Sequence, residues 1–260
     1  MFLLISAAIG ILALLFLAQL LPVLGKRLSQ VRFIRETLSR AGKSEDRRRV
    51  IVSLSTVPDR INNLGPAIRS LLRQTRPPDE IVLAIPEFSI REELTAGQGN
   101  TFIMVVDDDR VYPRDALESY LHYNAQLPEA ALCFRGATMP RSMDWRDARM
   151  TYANELREPR RVAVITGCGS YLIQPRFFDE SLWDYSSAPR GAFYMDDIWI
   201  SGWLSRRGIE RYVVPASVMM RKVLRQRRTL SLHDVPNGRQ HHNNDVIAFF
   251  RDTWNVFASR

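Results

Sequence analysis

Three consecutive aspartates, Asp107–Asp109, directly follow the apolar segment Phe102–Val106. A segment that is apolar throughout is typical of a central strand in a parallel sheet, and ligands of such sheets bind beyond the carboxyl ends of the strands. If the extended geometry continued, Asp107 and Asp109 would project from one face and repel each other. A hard divalent cation, Mg²⁺ or Mn²⁺, would relieve this repulsion and hold the phosphates of a nucleotide. Solvated carboxylates in a turn are the alternative.

A second acidic pair, Asp196 and Asp197, opens a segment in which Asp197, Ile198, Ser201 and Leu204 recur at helical spacing. The pair would therefore lie in the first turn of a helix, where the helix dipole favours acids whatever their function. The functional alternative is a general base that takes a proton from an attacking hydroxyl. We therefore name Asp197 and Asp196 as candidate catalytic residues.

Two weaker patterns add further candidates. The turn Gly167-Cys168-Gly169 allows close approach of a backbone and could line a binding pocket, although a plain turn is an equally good interpretation. Three histidines lie in a polar C-terminal stretch: His233, His241 and His242. One of them could complete a metal shell, and we name His242, with a solvated loop as the alternative.

The segments that must position these residues read as alternating strands and helices. In chain order we predict strand Val50–Ser55, helix Asn63–Gln74, strands Glu80–Ile85 and Phe102–Val106, helix Arg114–Ala125, strands Ala131–Arg135, Val162–Ile165 and Tyr171–Gln174, a helix through Asp196–Leu204, and strand Arg211–Pro215. A strand, helix, strand series indicates parallel strands with right-handed crossovers. The sequence thus predicts one α/β domain with a mostly parallel sheet and flanking helices.

The N-terminal segment Phe2–Leu24 carries no charged residue and is long enough to cross a bilayer as a helix. A cleaved signal peptide is the alternative, but no positive charge precedes the apolar run. Six basic residues follow the run: Lys26, Arg27, Arg32, Arg35, Arg40 and Lys43. The positive-inside rule then places the remainder in the cytoplasm.

These features predict a domain organisation and a location. Residues 1–25 would be a transmembrane anchor, residues 26–47 a basic juxtamembrane linker, and residues 48–260 the catalytic domain. The linker could form a helix that lies on anionic lipid headgroups, or a solvated helix. We expect a single-pass protein of the inner (cytoplasmic) membrane, with the membrane as a partner and the domain in the cytoplasm.

The composition excludes several classes of protein. The chain has 260 residues, a formal net charge of +8 and two cysteines without CxxC spacing, so neither a disulfide framework nor a cysteine zinc site is expected. A basic cluster, Arg221–Arg228, could bind a diphosphate, a membrane surface or a nucleic acid, or it could be a solvated basic face. Because no helix-turn-helix, RNP-like or zinc-finger signature accompanies it, we expect no nucleic-acid partner.

Taken as a set, these segments resemble a bacterial glycosyltransferase of the GT-A fold, in the broad family-2-like group. The segments that carry the resemblance lie within residues 48–215: Val50–Ser55 with the loop Thr56 to Arg60, Phe102–Asp109 with Val111–Pro113, Thr166–Ser170, and Asp196–Ser201. The resemblance implies transfer of a sugar from a nucleotide-sugar to a hydroxyl of a glycan or lipid-linked acceptor. It also implies Mn²⁺ or Mg²⁺ as the cofactor.

The resemblance further assigns roles to particular residues. Asp107 and Asp109 would form the DxD motif, which binds the ribose and a metal on the diphosphate. Asp197 would be the base of an inverting displacement. The turn 167–169 would lie under the acceptor, and the loop 56–60 would lie near the nucleobase.

One segment departs from the pattern of the family. Only the fifteen residues Glu87–Thr101 separate the second predicted strand from the DxD strand, and a parallel crossover alone needs about a dozen. We therefore expect one short helix there, Ile90–Ala96, and a sheet that is one strand short. The alternative function is a non-catalytic GT-A-like protein that binds a glycan or a partner enzyme.

Overall fold

The structure is a computed structural model, and it describes residues 2–40, 48–84, 100–189, 191–223 and 239–257. For residues 2–14, 58, 59 and 239–241 it describes the backbone but not the side chains. The helices are α1 (Phe2–Arg40), α2 (Gly65–Leu72), α3 (Ala116–Gln126), α4 (Asp196–Arg206) and α5 (Arg239–Phe249). The strands are β1 (Arg49–Ser55), β2 (Glu80–Ala84), β3 (Thr101–Asp107), β4 (Arg110–Val111), β5 (Ala131–Cys133), β6 (Arg135–Thr138), β7 (Arg149–Tyr152), β8 (Arg160–Arg161), β9 (Val164–Ile165), β10 (Tyr171–Ile173), β11 (Arg211–Val213) and β12 (Arg221–Lys222).

The main sheet has seven strands in the order β2-β1-β3-β10-β5-β11-β8. β1 pairs in parallel with β2 on one side and with β3 on the other, so that Ser55 lies beside Asp107 at the carboxyl ends. β10 and β8 run against their neighbours, whereas the other five strands share one direction. The predicted α/β class is therefore confirmed, with a mixed and largely parallel sheet.

The predicted strand Ala131–Arg135 is wrong in one respect, because it is two strands in different sheets. β5 stays in the main sheet, whereas β6 leaves it to pair with β7 and β9 in a sheet of three strands. Gly136 makes the departure possible, since a Cβ there would lie 2.8 Å from both the Val162 side chain and the Val164 carbonyl oxygen. The predicted strand Val162–Ile165 shortens to β9 and belongs to this second sheet.

The two strands that flank the short segment are parallel, as predicted. β2 and β3 each pair in parallel with β1, which lies between them. The predicted helix Ile90–Ala96 and the expectation of a missing strand fall within residues 85–99, outside the described residues. Neither prediction is tested.

The second half of α1 packs against the domain. Gln30 is buried, and its amide donates to the carbonyls of Leu156 at 2.9 Å and Ala216 at 3.0 Å. Ile34 is buried, and the Arg157 guanidinium lies 4.5 Å from the centre of the Phe33 ring. Within the predicted linker 26–47, Gln30, Phe33 and Ile34 therefore attach α1 to the rest of the fold. Among the residues that the structure describes, no helix combines the length and the apolar character that crossing a membrane requires.

Two hydrophobic clusters hold the layers together. The larger one joins the main sheet to α2 and α3, and the smaller one packs α4 against α5 around Trp199. In the region of α2, Leu64 and Leu71 are buried and pack in the larger cluster. Leu72, the last residue of α2, is 62% exposed.

Candidate functional site

The carboxyl ends of β1 and β3 bring two predicted segments together. Thr56 follows β1, and its hydroxyl donates a 2.7 Å hydrogen bond to Asp108 Oδ2. Arg60, from the 3-10 helix after β1, lies 3.4 Å from Asp108 Oδ1. Asp108 is buried, so this middle aspartate fixes the loop 56–60 at the edge of the sheet. The sequence did not indicate that Asp108 would hold this loop.

The outer two aspartates face the cations of a small ribbon. β3 ends at Asp107, and β4 pairs with β12 immediately afterwards. Arg110 Nε lies 3.1 Å from Asp109 Oδ1 and 3.9 Å from Asp107 Oδ2, and Lys222 Nζ lies 3.9 Å from Asp109 Oδ2. These cations offset part of the repulsion between the two carboxylates.

The surroundings of Asp107 favour its protonated form. Although 41% of its side-chain surface is accessible, the surrounding protein desolvates the carboxyl group and raises its pKa to about 6. The negative charge of Asp109 adds to the increase in pKa, and the charge of Arg110 opposes it. Because the ionised form of Asp107 is unfavourable in these surroundings, a bound cation would stabilise it.

We expect Asp107→Asn to stabilise the protein when no divalent cation is present. Because the pKa is raised in the folded state, the folded chain loses stability from this group as pH rises from about 4 to about 6. The variant, which has no proton to lose, should have the higher free energy of unfolding at pH 7.5, and the gain should shrink towards pH 4. Urea denaturation at the two pH values measures this difference.

Asp184→Asn is the matched control with the opposite sign. Asp184 accepts a hydrogen bond from the Ser186 backbone N–H, and its pKa is lowered by the hydrogen bonds from Ser186. This substitution should therefore cost stability at neutral pH and less below the folded pKa. A gain from Asp107→Asn that is equal at pH 4 and pH 7.5 would contradict the assigned environment.

A glycine turn places Asp197 opposite Asp107. The Gly167 backbone N–H donates a 2.7 Å hydrogen bond to Asp197 Oδ1, and the Ser201 hydroxyl donates to the Asp197 carbonyl. One oxygen of Asp197 and one of Asp107 both lie within 4 Å of the point where a Cβ on Gly167 would be. Because Gly167 has no side chain, the space beside these two carboxylate oxygens stays open.

The same turn contains a strained residue that the sequence did not indicate. Ser170 has φ 62° and ψ 157°, an unfavourable conformation for a residue with a side chain. The buried Tyr120 hydroxyl donates a 2.9 Å hydrogen bond to the Ser170 carbonyl and holds this conformation. Gly169 lies against β6, where a Cβ would be 2.4 Å from Arg135 Cβ.

We expect Gly169→Ala to lower the free energy of unfolding by about 1–3 kcal/mol, the usual cost of overpacking. Arg135 cannot move away easily, because its backbone N would also be only 2.9 Å from the new methyl group. Gly25→Ala is the control, since nothing lies within 4 Å of its Cβ position. Chemical denaturation that shows equal effects for both variants would contradict the close approach of the turn and β6.

A cavity of about 410 Å³ opens beside the second acidic pair. Asp196 and Asp197 line it together with Trp145, Tyr194 and Arg135. Trp145, Tyr194 and Arg135 were not predicted as site residues. In the sequence they stand out only as aromatic or basic residues within a loop or a strand. The cavity is large enough for a small polar ligand beside Asp197.

The third predicted metal ligand lies elsewhere in this region. His242, on α5, packs against Gly191, with its ring centre 6.3 Å from that of Tyr194. Its helix neighbour Asn243 lines the cavity. The structure thus places His242 behind the cavity wall, whereas Asp107 and Asp109 lie together at the end of β3.

The residues present fit a hard divalent cation with two protein ligands. Asp109 Oδ1 is buried and lies 3.1 Å from Arg110 Nε without forming a hydrogen bond, so a bound cation would take the place of this ion pair. Within the same part of the chain, no group of three or more His, Cys, Asp or Glu residues is arranged to hold a metal. Mg²⁺ commonly uses one or two carboxylates and completes its shell with substrate phosphates and water, so this pair suffices.

Comparison with known proteins adds no assignment. The chain matches no protein-family model, and no curated protein matches it. The function must therefore be argued from the site itself.

Proposed function

We propose that the chain is a metal-dependent, inverting glycosyltransferase with a GT-A-like fold. It would transfer a sugar from a nucleotide-sugar to a hydroxyl of a glycan or lipid-linked acceptor. The observation that supports this proposal is that two carboxylates from different elements, Asp107 and Asp197, both lie close to Gly167. One of them belongs to a pair suited to a cation, and the other has the position of a base.

The first part of the proposed site binds the donor. Asp107 and Asp109 would hold Mn²⁺ or Mg²⁺, which when bound neutralises charge on the diphosphate. Thr56 and Arg60, fixed through Asp108, would contact the nucleoside at the end of β1. Arg110 lies beside the same carboxylates and adds positive charge where the leaving diphosphate would lie.

The second part performs the proton transfer. Asp197 would accept the proton of the acceptor hydroxyl while the acceptor oxygen bonds to the anomeric carbon. The bond from that carbon to the diphosphate breaks at the same time, and the nucleoside diphosphate leaves with the electron pair. Attack from the face opposite the leaving group inverts the anomeric configuration. The hydrogen bond from the Gly167 N–H fixes the orientation of the Asp197 carboxylate for this step.

The cavity beside Asp197 would hold the acceptor. Trp145 and Tyr194 offer ring faces for the apolar side of a sugar, and Arg135 offers a donor for its hydroxyl groups. Asp196, which is exposed and lines the cavity, would contact the acceptor beside the base. This arrangement supports a hydroxyl acceptor on the side of Asp197 that faces the cavity.

We also propose that the protein is a single-pass protein of the inner membrane with its domain in the cytoplasm. The support is the uncharged run Phe2–Leu24 with basic residues after it. Carbonate extraction of membranes should therefore leave the full-length chain in the pellet, with an intact N-terminus. Release of the full-length chain into the supernatant, or a mature N-terminus after residue 20, would contradict the anchor.

Nucleotide binding by the full chain tests the proposed donor site. Calorimetric titration with UDP, GDP, CDP and dTDP should show binding of at least one nucleotide in the presence of Mn²⁺ and none in the presence of EDTA. Binding of no nucleotide would contradict the proposal. Binding without turnover of any nucleotide-sugar would instead favour a non-catalytic GT-A-like protein that binds a glycan or a partner enzyme.

A further inference from the structure

A second cleft, of about 1180 Å³, lies where α1 meets the β4–β12 ribbon. One wall is the α1 segment from Val23 to Gln30, and the opposite walls are residues 111–113 and residues 217–221. The buried amide of Gln30 fixes α1 in this position through its hydrogen bonds to Leu156 and Ala216. The cleft is therefore bounded by docked elements of the fold.

The cleft is lined both by apolar residues and by positively charged residues. Val23, Val111, Val218, Met219 and Met220 supply apolar surface. The charged residues that line it are four cations and one acid: Lys26, Arg27, Arg157, Arg221 and Glu155. A ligand that fits this combination has an anionic head and a hydrocarbon tail.

The cleft continues into the apolar surface of α1. Val23 lines the cleft, and the preceding residues on the helix are not covered by the rest of the described chain, with Phe16 65% and Leu21 63% exposed. A hydrocarbon tail could therefore follow the helix away from the cleft. The chain beyond β12 carries Arg225, Arg227 and Arg228. The basic residues of the cleft would repel this segment, so the segment does not suit the cleft as its occupant.

The ribbon links this cleft to the acidic residues. In the β4–β12 pair, Lys222 lies opposite Arg110, and Arg221 lies opposite Val111. Lys222 and Arg110 face the carboxylates of Asp109 and Asp107, whereas Arg221 and Val111 line the cleft. The two-stranded β4–β12 ribbon therefore lies between the cleft and the candidate donor site.

We infer that this cleft binds a single-chain amphiphile with a phosphate head, which would be held by Lys26, Arg27 and Arg221 while its tail runs along α1. Resting on the proposed function, this makes the acceptor lipid-linked rather than a free glycan: its phosphate and tail would lie in this cleft, and its glycan would reach the cavity beside Asp197. The binding itself depends on neither the metal nor Asp197, so it can be tested independently of transfer.

Photocrosslinking of the full chain in phosphatidylcholine nanodiscs tests the inference. The probe is a prenyl phosphate with a diazirine in the isoprene unit next to the phosphate, and mass spectrometry locates the label. We expect labelling of residues 218–220 or of the α1 segment from Val23 to Gln30. Farnesyl phosphate should compete with the probe, whereas farnesol and inorganic phosphate should need at least about tenfold higher concentrations.

The double variant Lys26→Gln, Arg221→Gln should lose at least about tenfold in labelling, because two charge-assisted contacts to the phosphate disappear. Arg251→Gln is the matched control, since it removes an exposed arginine that does not line the cleft and should label as the wild type does. Equal competition by inorganic phosphate would identify a site for the free anion, and equal competition by farnesol a merely apolar surface. Either result, a label elsewhere, or full labelling of the double variant would overturn the inference.

If the cleft is labelled but no nucleotide binds, the proposed function fails and the lipid site stands. If nucleotide-sugar turnover is found and the cleft is not labelled, the lipid site fails and the acceptor lies elsewhere. The two claims can thus be judged separately.

Discussion

Asp197→Asn should lower the turnover rate by about 10²-fold or more while the affinity for the donor stays nearly unchanged. The substitution keeps an oxygen that can accept the hydrogen bond from the Gly167 N–H, so the side chain should keep its place. It removes the negative charge that accepts the proton, and general base catalysis commonly contributes about 10²–10⁴-fold. Steady-state kinetics and donor titration on the same preparation separate the two quantities.

Asp252→Asn is the control for this experiment. Asp252 is exposed, follows α5 and lines neither cavity, so its substitution should leave turnover unchanged. If Asp197→Asn instead abolishes donor binding with a folded chain, Asp197 belongs to the donor site and the assignment of a base is wrong. Unchanged turnover would equally exclude the role.

Asp109→Asn should abolish Mn²⁺-dependent nucleotide binding without unfolding the protein. The amide keeps the shape of the buried side chain, but it no longer offers a negative charge to the cation. Arg110 would then face Asp107 as the remaining carboxylate of the pair. Calorimetry with the nucleotide that binds the wild type measures the loss, and circular dichroism checks the fold.

Asp108→Asn separates metal binding from support of the loop. Asp108 contacts Thr56 and Arg60 rather than the outer carboxylates, so this variant should lose stability but keep its dependence on Mn²⁺. Unchanged nucleotide binding by Asp109→Asn would show that the metal, if it binds, is held by other residues. The same nucleotide affinity for the wild type, Asp108→Asn and Asp109→Asn would contradict the donor site as a whole.

The elements that carry the acids could be predicted because their sequence patterns are local. Apolar runs at Val50–Ser55 and Phe102–Val106 can hardly be placed outside the centre of a sheet, and β1 and β3 lie there. Helical spacing after Asp196 likewise predicted α4, which begins at that residue. Because parallel strands end at one edge, the fold brings Thr56 close to the aspartates, as hydrogen-bond partners at the ends of β1 and β3.

Features that depend on distant contacts could not be predicted in this way. The division between β5 and β6 depends on how closely Gly136 approaches Val162 and Val164, which no local pattern shows. The docking of α1 depends on one buried amide, that of Gln30, which bonds to carbonyls far away in the sequence. Lys222 likewise reaches Asp109 only because β12 pairs with β4.

Metal-dependent release of nucleoside diphosphate tests the central claim most directly. The full chain in nanodiscs would be incubated with a panel of nucleotide-sugars and Mn²⁺, with water as the acceptor of the sugar, and with EDTA and Asp197→Asn as the two comparisons. The account predicts release from at least one donor, its loss with EDTA, and a reduction of about 10²-fold or more in the variant. Release that is as fast with EDTA or in Asp197→Asn, or no release from any donor by a chain that binds the nucleotide, would contradict it.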